Sequence, residues 1–357
     1  MSFLLAFLGF AALIILHELG HFTAAKAVGM RVERFSLFFP PLAVRKKWGE
    51  TEYAIGLIPL GGYVKITGQN PHEELPPELE HRGYFRQPVW KRVVVIAAGP
   101  AVNIALAFLI LWVLVWSQGV SEPTNKIEQI NTPPALGVLA LGDRLVEVDG
   151  VRGDFETLKR QIASHKCAGE QVNGCEAATP ATITVSLHGV ERTEKLRPVY
   201  NADQDDMLVG FAVGRTAPRA IGPVDAAGRS VSEMWFFTTR TVDTIAGIFN
   251  AQKREQISGI VGSYETTRQA IELSTDRAVF LLAVISLSLG VINLFPFLPL
   301  DGGHIFWALA EKVRGRAIPF SVMERAGFIG FALVIGLFAI GLTNDIGRLT
   351  GEGFQVR

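Results

Sequence analysis

Long apolar runs dominate the pattern of hydrophobic and polar positions along the chain. Four of them approach the length of a membrane-spanning helix, and they cover Phe3 to about Val28, Val93–Trp116, Ala278–Leu300 and Ala326–Leu342. A helix that crosses the hydrocarbon core needs about 20 predominantly apolar residues. The pattern therefore predicts a polytopic α-helical membrane protein with about four spans.

Between the second and third runs the pattern changes to short alternating strands and one amphipathic helix. The helix carries Phe155, Leu158 and Ile162 on one face. Alternation with period two indicates half-buried strands, so residues 118–215 are predicted to form an α+β domain. Residues 216–277 mix apolar and charged positions, which favours amphipathic helices on the membrane surface or against the bundle.

A second β element is predicted between the first two spans. Residues 49–68, "GETEYAIGLIPLGGYVKITG", alternate on both sides of a Pro-Gly-Gly turn, which is typical of a β-hairpin. The hairpin is itself apolar. It is either cytosolic or dips into the membrane against protein, because lipid does not tolerate an open sheet edge. As an edge strand it would pair with an extended peptide.

These patterns set the predicted domain boundaries. In chain order the segments are 1–28 (first span), 29–91 (cytosolic-side segment containing the hairpin 49–68), 92–117 (second span), 118–215 (extracytoplasmic domain), 216–277 (amphipathic segment), 278–302 (third span), 303–325 (cytosolic link), 326–345 (fourth span) and 346–357 (tail).

Composition agrees with a membrane protein that has some soluble mass. Hydrophobic residues make up 49% of the chain and charged residues 19%, with 34 basic and 34 acidic side chains. Without net charge or a basic patch, no nucleic-acid partner is expected. Basic residues crowd the loop from Gly29 to Arg92 and the link after the third span, which predicts that both face the cytoplasm. The protein is then expected in the inner cell membrane, with both termini and residues 118–277 outside the cytoplasm.

Cys167 and Cys175 are the two cysteines of the chain, and both fall in the segment predicted to lie outside. An oxidising compartment favours a disulfide between them. The alternative is a pair of free thiols.

Candidate chemistry lies inside the first apolar run, in "ILHELGHF". His17 and His21 are four residues apart and share one helix face, with Glu18 beside them. His-Glu-x-x-His is the metallopeptidase pattern of two zinc ligands and a general base. A bound Zn²⁺ would also offset the cost of placing these groups in lipid, whereas histidines bonded to neighbouring spans would need several partners there.

A catalytic zinc usually has three protein ligands and one open position. The third run ends in "NLFPFLPLDGGHIFW", where Pro296 and Pro299 are expected to break the helix ahead of Asp301. Broken backbone at membrane depth is tolerated when it is buried in protein or lines a wet cavity. Asp301 is therefore the preferred third ligand. His304 is the competing candidate, and an ordinary turn at Asp-Gly-Gly is the structural alternative.

Two resemblances add to this picture. The stretch Gly142, Asp143, Leu145 and Val148–Gly150 resembles the "GDxIxxVDG" stretch of PDZ domains, which implies a peptide ligand. A domain that only blocks access sterically is the alternative. The set "HELGH", "GPAVN", a PDZ-like domain and "NLFPFLPLDGG", in that order, resembles the site-2 protease family of intramembrane zinc metalloproteases, and in particular the bacterial members that cut anti-sigma factors.

The family resemblance implies a set of roles. One Zn²⁺ would be held by His17, His21 and Asp301, with Glu18 as the catalytic acid and base. The hairpin would be the substrate-pairing strand, and the substrate a single-span membrane protein. The residues expected near the substrate are Gly61, Gly62, Tyr63, Asn103 and Asn293. Asn103 and Asn293 alternatively bond across helices. This sequence departs from many relatives in spacing Pro296 and Pro299 three residues apart instead of two.

Three other functions would each need further residues in the sequence. A metal transporter would need further polar residues along the second and fourth spans, which lack them. A membrane zinc protease with a glutamate as third ligand would need a glutamate in a later span. A peptide-sensing receptor with a structural metal would need a fourth protein ligand, and His304 is the nearby candidate.

Overall fold

The computed structural model describes residues 2–70, 73–201, 204, 206–247, 257, 259–316 and 318–351. His72, residues 248–256 of the predicted amphipathic segment, and 352–357 of the predicted tail lie outside them. The chain divides into two compact units. The first comprises Met1–Leu114, Val224–Ile245 and Ile257–Arg357, and the second comprises Val115–Pro223 and Ala246–Gln256.

Helices dominate the first unit. They are α1 (Ser2–Ala27), α2 (Pro77–Glu80), α3 (Val89–Gln118), α5 (Pro223–Ala246), α6 (Ile260–Leu273), α7 (Thr275–Asn293), α8 (Asp301–Arg314) and α9 (Phe320–Thr350). Within the described residues four are long and apolar enough to cross a membrane: α1, α3, α7 and α9. The four predicted spans are confirmed, and the chain has the architecture of a multi-pass membrane protein.

The third spanning helix stops short of Asp301, as its prolines predicted. Helix α7 ends at Asn293, and α8 starts at Asp301 after an irregular turn. Gly302 and Gly303 let the chain fold back on this turn. A Cβ at Gly302 would lie 2.2 Å from the Leu294 carbonyl oxygen, and one at Gly303 would lie 2.5 Å from the Leu298 nitrogen. The Asp-Gly-Gly sequence thus packs the first turn of α8 directly onto the broken segment.

The sheet of the first unit is formed by β1 (Val32–Trp48) and β2 (Thr51–Ile66). Residues 34–37 of β1 pair on one side with 62–65 of β2 and on the other side with 52–55. Residues 52–55 pair in turn with 44–47 across the Gly49–Glu50 turn. The extended segments therefore lie in the order 61–66, 32–37, 51–58 and 42–48.

This pairing corrects the prediction of a hairpin within residues 49–68. The two halves are extended, but they flank residues 32–37 and do not pair with each other. The sequence prediction was wrong because "VERFSLFFPPLAVRKKW" does not alternate regularly and contains Pro40 and Pro41, so it was not recognised as a strand. Strand pairing depends on such non-local partners, which local patterns do not specify.

The sheet runs along α1. The Phe22 ring lies 5.4 Å from the Phe35 ring, and near the other end of the helix the Phe7 ring lies 5.9 Å from that of Phe38. Near the C-terminal end of α1, the buried residues Ala25, Met30, Val32 and Ile66 form the core of this contact. The sheet thus lies along most of α1, from the C-terminal end of that helix to near its N-terminal end.

The amphipathic helix α6 rests on two of the spanning helices, α1 and α9. On α6 the Tyr264 hydroxyl donates to the Phe3 carbonyl oxygen of α1 at 2.9 Å. The buried carboxylate of Asp345, on α9, accepts from the backbone N–H groups of Gly259 and Gly262 at the start of α6. An acidic side chain at a helix N-terminus satisfies otherwise unpaired N–H groups and complements the helix dipole.

The second unit is an α+β domain. Its main sheet has the order β10-β3-β4-β6-β7, with β5 paired to β4, and β8 and β9 form a separate pair. The strands are β3 (Pro123–Ile130), β4 (Arg144–Val148), β5 (Val151–Arg152), β6 (Ala181–Leu187), β7 (Val190–Leu196), β8 (Val199–Asn201), β9 (Asp206–Leu208) and β10 (Phe211–Arg215). Helix α4 (Phe155–Ala163) buries Leu158 and Ile162 in the core, as its apolar spacing indicated.

Cys167 and Cys175 lie side by side in the second unit, with Cα atoms 5.8 Å apart. That separation is typical of a disulfide. The two cysteines pack against Ala177, Tyr200 and Met207. The disulfide itself stays a prediction, because it depends on an oxidising compartment.

Glu50 anchors the turn of the sheet to α1. It accepts from both terminal nitrogens of Arg82, at 2.7 and 2.8 Å, and from Lys26. Hydrogen bonds from Arg82 and Lys26 lower the pKa of Glu50 to about 2 from its ordinary value near 4.5.

We therefore expect Glu50→Gln to destabilise the protein in a pH-dependent way. A carboxyl with a lowered folded-state pKa contributes stability above its unfolded pKa, and that stability is lost as the pH falls from about 4.5 toward 2. The loss at neutral pH should be about 1 kcal/mol, since the pair is partly solvent-screened. Thermal unfolding in detergent from pH 7 to pH 3 measures it, and Glu74→Gln, at an exposed position, is the control. A Glu50→Gln deficit that does not narrow on acidification would contradict the assignment.

Candidate metal centre

Three side chains that are distant in the sequence converge in the first unit. His17 and His21 lie on one face of α1, and Asp301 is the first residue of α8. The Nε2 atoms of the two histidines are 3.2 Å apart. They lie 3.2 and 3.3 Å from Asp301 Oδ2. Both histidines are buried, with 8% and 7% of their surface exposed.

This triangle fits a tetrahedral metal ion. Ligand atoms at about 2.0–2.1 Å from a tetrahedral zinc are separated by about 3.3 Å, the spacing found here. Asp301 Oδ2 is buried and accepts no hydrogen bond from the described residues. Imidazole nitrogen and carboxylate oxygen are ligands that zinc accepts. The donor set therefore suits Zn²⁺, and among the described residues these three form the group that can hold a metal.

Helix α3 orients the two imidazoles. His21 Nδ1 lies 2.9 Å from the Val95 carbonyl oxygen, and His17 Nδ1 lies 3.1 Å from the Asn103 amide. Because a carbonyl oxygen can only accept, His21 carries a proton on Nδ1, and the neutral ring then presents an unprotonated Nε2 to the centre of the triangle. A metal-binding histidine typically has this arrangement, with its other ring nitrogen fixed by a hydrogen bond.

Gly99 provides the space for the His21 ring. A Cβ at this position would lie 2.3 Å from His21 Nε2. On the facing helix, a Cβ at Gly20 would lie 2.6 Å from the Ala98 carbonyl oxygen. Small residues let the backbones of α1 and α3 approach closely, as is common between spanning helices.

Glu18 lies where the sheet meets α1. A Cβ at Gly62 would lie 2.7 Å from Glu18 Cγ and 2.9 Å from the Ser36 carbonyl oxygen. Glu18 also interacts electrostatically with His17, His21 and Asp301. The proposed general base is thus held between the metal triangle and the strand 61–66.

The other predicted site residues divide into two groups. Gly61 and Tyr63 lie on the same strand as Gly62; Phe39 packs against both, and its ring stacks on that of Tyr63. Asn293 is half-buried at the end of α7, ahead of the broken segment. Asn103 is fully buried and contacts His17. His304 lies one turn after Asp301 and is not part of the triangle.

Sequence reasoning missed the contribution of Val95 and the contact between Gly99 and the His21 ring. Val95 acts through its backbone oxygen, which no side-chain pattern reveals. Gly99 belongs to the "GPAVN" motif, whose glycine and asparagine are one turn apart on α3 and face the two histidines. That spacing was the available signal.

Comparison with known proteins agrees with this site. The sequence model of peptidase family M50 matches residues 5–337. Proteins from Rhizobium meliloti, Campylobacter jejuni and Nostoc are 27%, 27% and 28% identical to this chain over 95%, 98% and 99% of its length and 94%, 95% and 98% of their own. Each of the three carries the name "Putative zinc metalloprotease".

Gly99→Ala is expected to weaken zinc binding, because the new methyl group would occupy the position of the His21 ring. An effect of at least about tenfold on the zinc dissociation constant is expected for a disturbed metal-binding histidine. Chelator competition on the purified protein measures it. Gly336→Ala is the matched control, since Gly336 lies on spanning helix α9 with nothing within 4 Å of an added Cβ. Equal zinc affinity in both variants would contradict the assigned packing.

Gly62→Ala is expected to abolish most proteolytic activity while zinc stays bound. Its methyl group would displace Glu18, and a shift of about 1 Å in a reacting group costs about 100-fold in rate. Initial rates and zinc content are measured together on the same sample. The control is Gly228→Ala, where the added Cβ meets open space. Full activity of Gly62→Ala would contradict the contact between the strand and Glu18.

Proposed function

This chain belongs to peptidase family M50, the site-2 proteases, and is a zinc-dependent metalloprotease with several membrane spans; on that premise we propose that it hydrolyses a peptide bond within or near the transmembrane segment of a single-span membrane protein. An anti-sigma factor in regulated intramembrane proteolysis is the proposed substrate, following the resemblance of its motifs to that group.

The depth of the metal triangle is the observation that carries this proposal. His17 is ten residues from the end of the 26-residue helix α1, or about 15 Å along the axis. The hydrocarbon core is about 30 Å thick, so a helix that spans it has its middle at this level. Hydrolytic groups at mid-membrane depth would act on a segment that enters the membrane.

The side chains divide the chemistry between them. His17, His21 and Asp301 would hold Zn²⁺, which when bound lowers the pKa of a water and polarises a carbonyl group. Glu18 would take the proton from the attacking water and deliver it to the leaving amine. Water would reach the site through the broken segment after α7, where helical packing is interrupted.

The edge of the sheet offers a means of holding the substrate extended. Residues 61–66 pair with 32–37 on one side, and no other described strand pairs with their free edge. Gly62 on this strand lies against Glu18. A substrate segment added to this edge would be drawn out of its helical conformation beside the catalytic groups. Asn293, which makes no side-chain hydrogen bond to the described residues, is a further candidate for a substrate contact.

In the proposed orientation the protein lies in the inner cell membrane with both termini outside the cytoplasm. At one end of α1, Tyr264 of α6 contacts Phe3, and at the other end Lys26 contacts Glu50 in the turn of the sheet. These contacts are separated by about 35 Å along the helix, which is sufficient to lie on opposite membrane faces. The basic excess in residues 29–92 favours the cytoplasm for the sheet's turn.

The second unit would act outside the cytoplasm as a PDZ-like domain that binds a peptide ligand. Its fold supports this proposal in part, since a strand follows the Gly142–Asp143 turn and an amphipathic helix follows Asp154. The unit would admit substrates whose outer portion has been trimmed.

A receptor with a structural metal is the alternative function. A structural zinc site is closed by four protein ligands. The group found among the described residues has three, which favours an open, catalytic site.

The central test compares the purified protein with its Glu18→Gln variant. A single-span model peptide in detergent is the substrate, and zinc content is measured on both samples. We expect the variant to retain zinc and to lose about 100- to 10,000-fold in rate, the contribution typical of a general base.

Two controls define the outcomes. His304→Ala should keep zinc and most of the activity, because His304 lies outside the triangle. Cleavage by Glu18→Gln at the wild-type rate, or loss of zinc in His304→Ala, would contradict the proposal.

A further inference from the structure

The two zinc-binding histidines have unlike partners on α3. His21 Nδ1 faces a backbone carbonyl oxygen, which accepts only, so its tautomer follows directly. His17 Nδ1 faces the amide group of Asn103 at 3.1 Å, and an amide can either donate or accept. Which of the two occurs decides where the His17 ring carries its proton.

We propose that Asn103 is a positioning residue whose side-chain oxygen accepts from Nδ1–H of His17 and so keeps His17 Nε2 free to bind the metal. This inference rests on the metal centre of the proposed function. It gives Asn103 a role through His17, in place of the substrate contact that the family resemblance implied.

The chemistry of the triangle selects the accepting orientation. If the Asn103 amide nitrogen donated to Nδ1, the proton of His17 would be on Nε2. That proton would point at His21 Nε2 and Asp301 Oδ2, where it would block coordination by His17. With the amide oxygen toward Nδ1, both histidines adopt the same tautomer, and two lone pairs and a carboxylate meet at one point.

The same orientation accounts for an unpaired atom. Asn103 Oδ1 is buried and lacks a hydrogen-bond partner when the nitrogen faces His17. A buried polar atom left unpaired is destabilising. A half-turn of the amide, which preserves its shape, gives this oxygen the Nδ1–H donor and moves the NH2 group to the position that the oxygen held.

Asn103 is fixed in place on its other sides. Its backbone oxygen accepts from the Ser286 hydroxyl of α7 at 2.9 Å. Gly290 packs behind it, since an added Cβ there would lie 3.4 Å from Asn103 Cβ. The residue is 0% exposed, so a substrate would reach it only through His17 or by separating α3 from α7.

The test measures zinc affinity by chelator competition, together with the absorption spectrum of the cobalt-substituted protein. Asn103→Leu keeps the approximate volume and removes the acceptor, whereas Asn103→Asp keeps an oxygen acceptor and removes the donor. We expect Asn103→Leu to weaken zinc binding about 10- to 100-fold and to change the cobalt spectrum. Asn103→Asp should remain within about threefold of the wild-type affinity. Asn293→Leu, the same substitution on a neighbouring helix, should bind zinc as the wild type does.

Two results would overturn the inference. One is an Asn103→Leu affinity within about twofold of wild type with an unchanged cobalt spectrum, which would leave Asn103 a packing role only. The other is an Asn103→Asp variant that is folded by circular dichroism yet binds zinc as weakly as Asn103→Leu, which would make Asn103 a donor. If the wild-type protein binds no zinc, the proposed function fails together with the inference. If the wild type binds one zinc and Asn103→Leu binds it with the same affinity, the inference alone fails.

Discussion

The convergence of two imidazoles and a carboxylate within apolar helices is the constraint on which the rest of this structure depends. Groups of this kind are costly at membrane depth unless they are paired or bind an ion. A shared cation satisfies all three at once, and their 3.2–3.3 Å spacing suits one. Since His17 and His21 are fixed by their helix, the remaining requirement is to bring Asp301 to the same level.

The broken segment after α7 meets that requirement. A continuous helix would carry Asp301 past the triangle. Instead the helix ends at Asn293, and after an irregular turn α8 starts at Asp301 beside α1. Arg92 then joins α8 to α3 through two hydrogen bonds to Glu311, at 2.9 and 2.7 Å. The Arg92 side chain is only 4% exposed. Removal of one partner from such a pair is costly, because it leaves an uncompensated buried charge.

In the proposed function, the sheet would couple this centre to the recognition of a substrate. Its strand 61–66 lies so close to α1 that a glycine is required at position 62, directly over Glu18. Glu18, the proposed base, and the strand with the free edge are therefore in direct contact. In the proposed reaction a helical segment would have to become extended before its carbonyl groups are accessible. A strand edge beside Glu18 would hold such a segment extended next to the proposed base.

Local patterns were sufficient for the features set by helical periodicity and chemistry. The i, i+4 spacing put His17 and His21 on one face, and the apolar runs predicted the four spanning helices, because in lipid a helix satisfies its own backbone. Pro296 and Pro299 marked the break, and Asp301 followed from the need for a third ligand.

Tertiary structure alone decided the features that depend on distant partners. The strand order 61–66, 32–37, 51–58, 42–48 could not be predicted from residues 49–68, because pairing requires the irregular segment 32–48. The contacts of His21 with Val95 and of His17 with Asn103 depend on how α1 and α3 pack, and this packing is set by Gly20 and Gly99. The sequence by itself determined which groups can bind a metal, since that is a property of residue type and spacing. The neighbours that orient those groups were decided by the folded chain, since they belong to helices and strands that meet only in three dimensions.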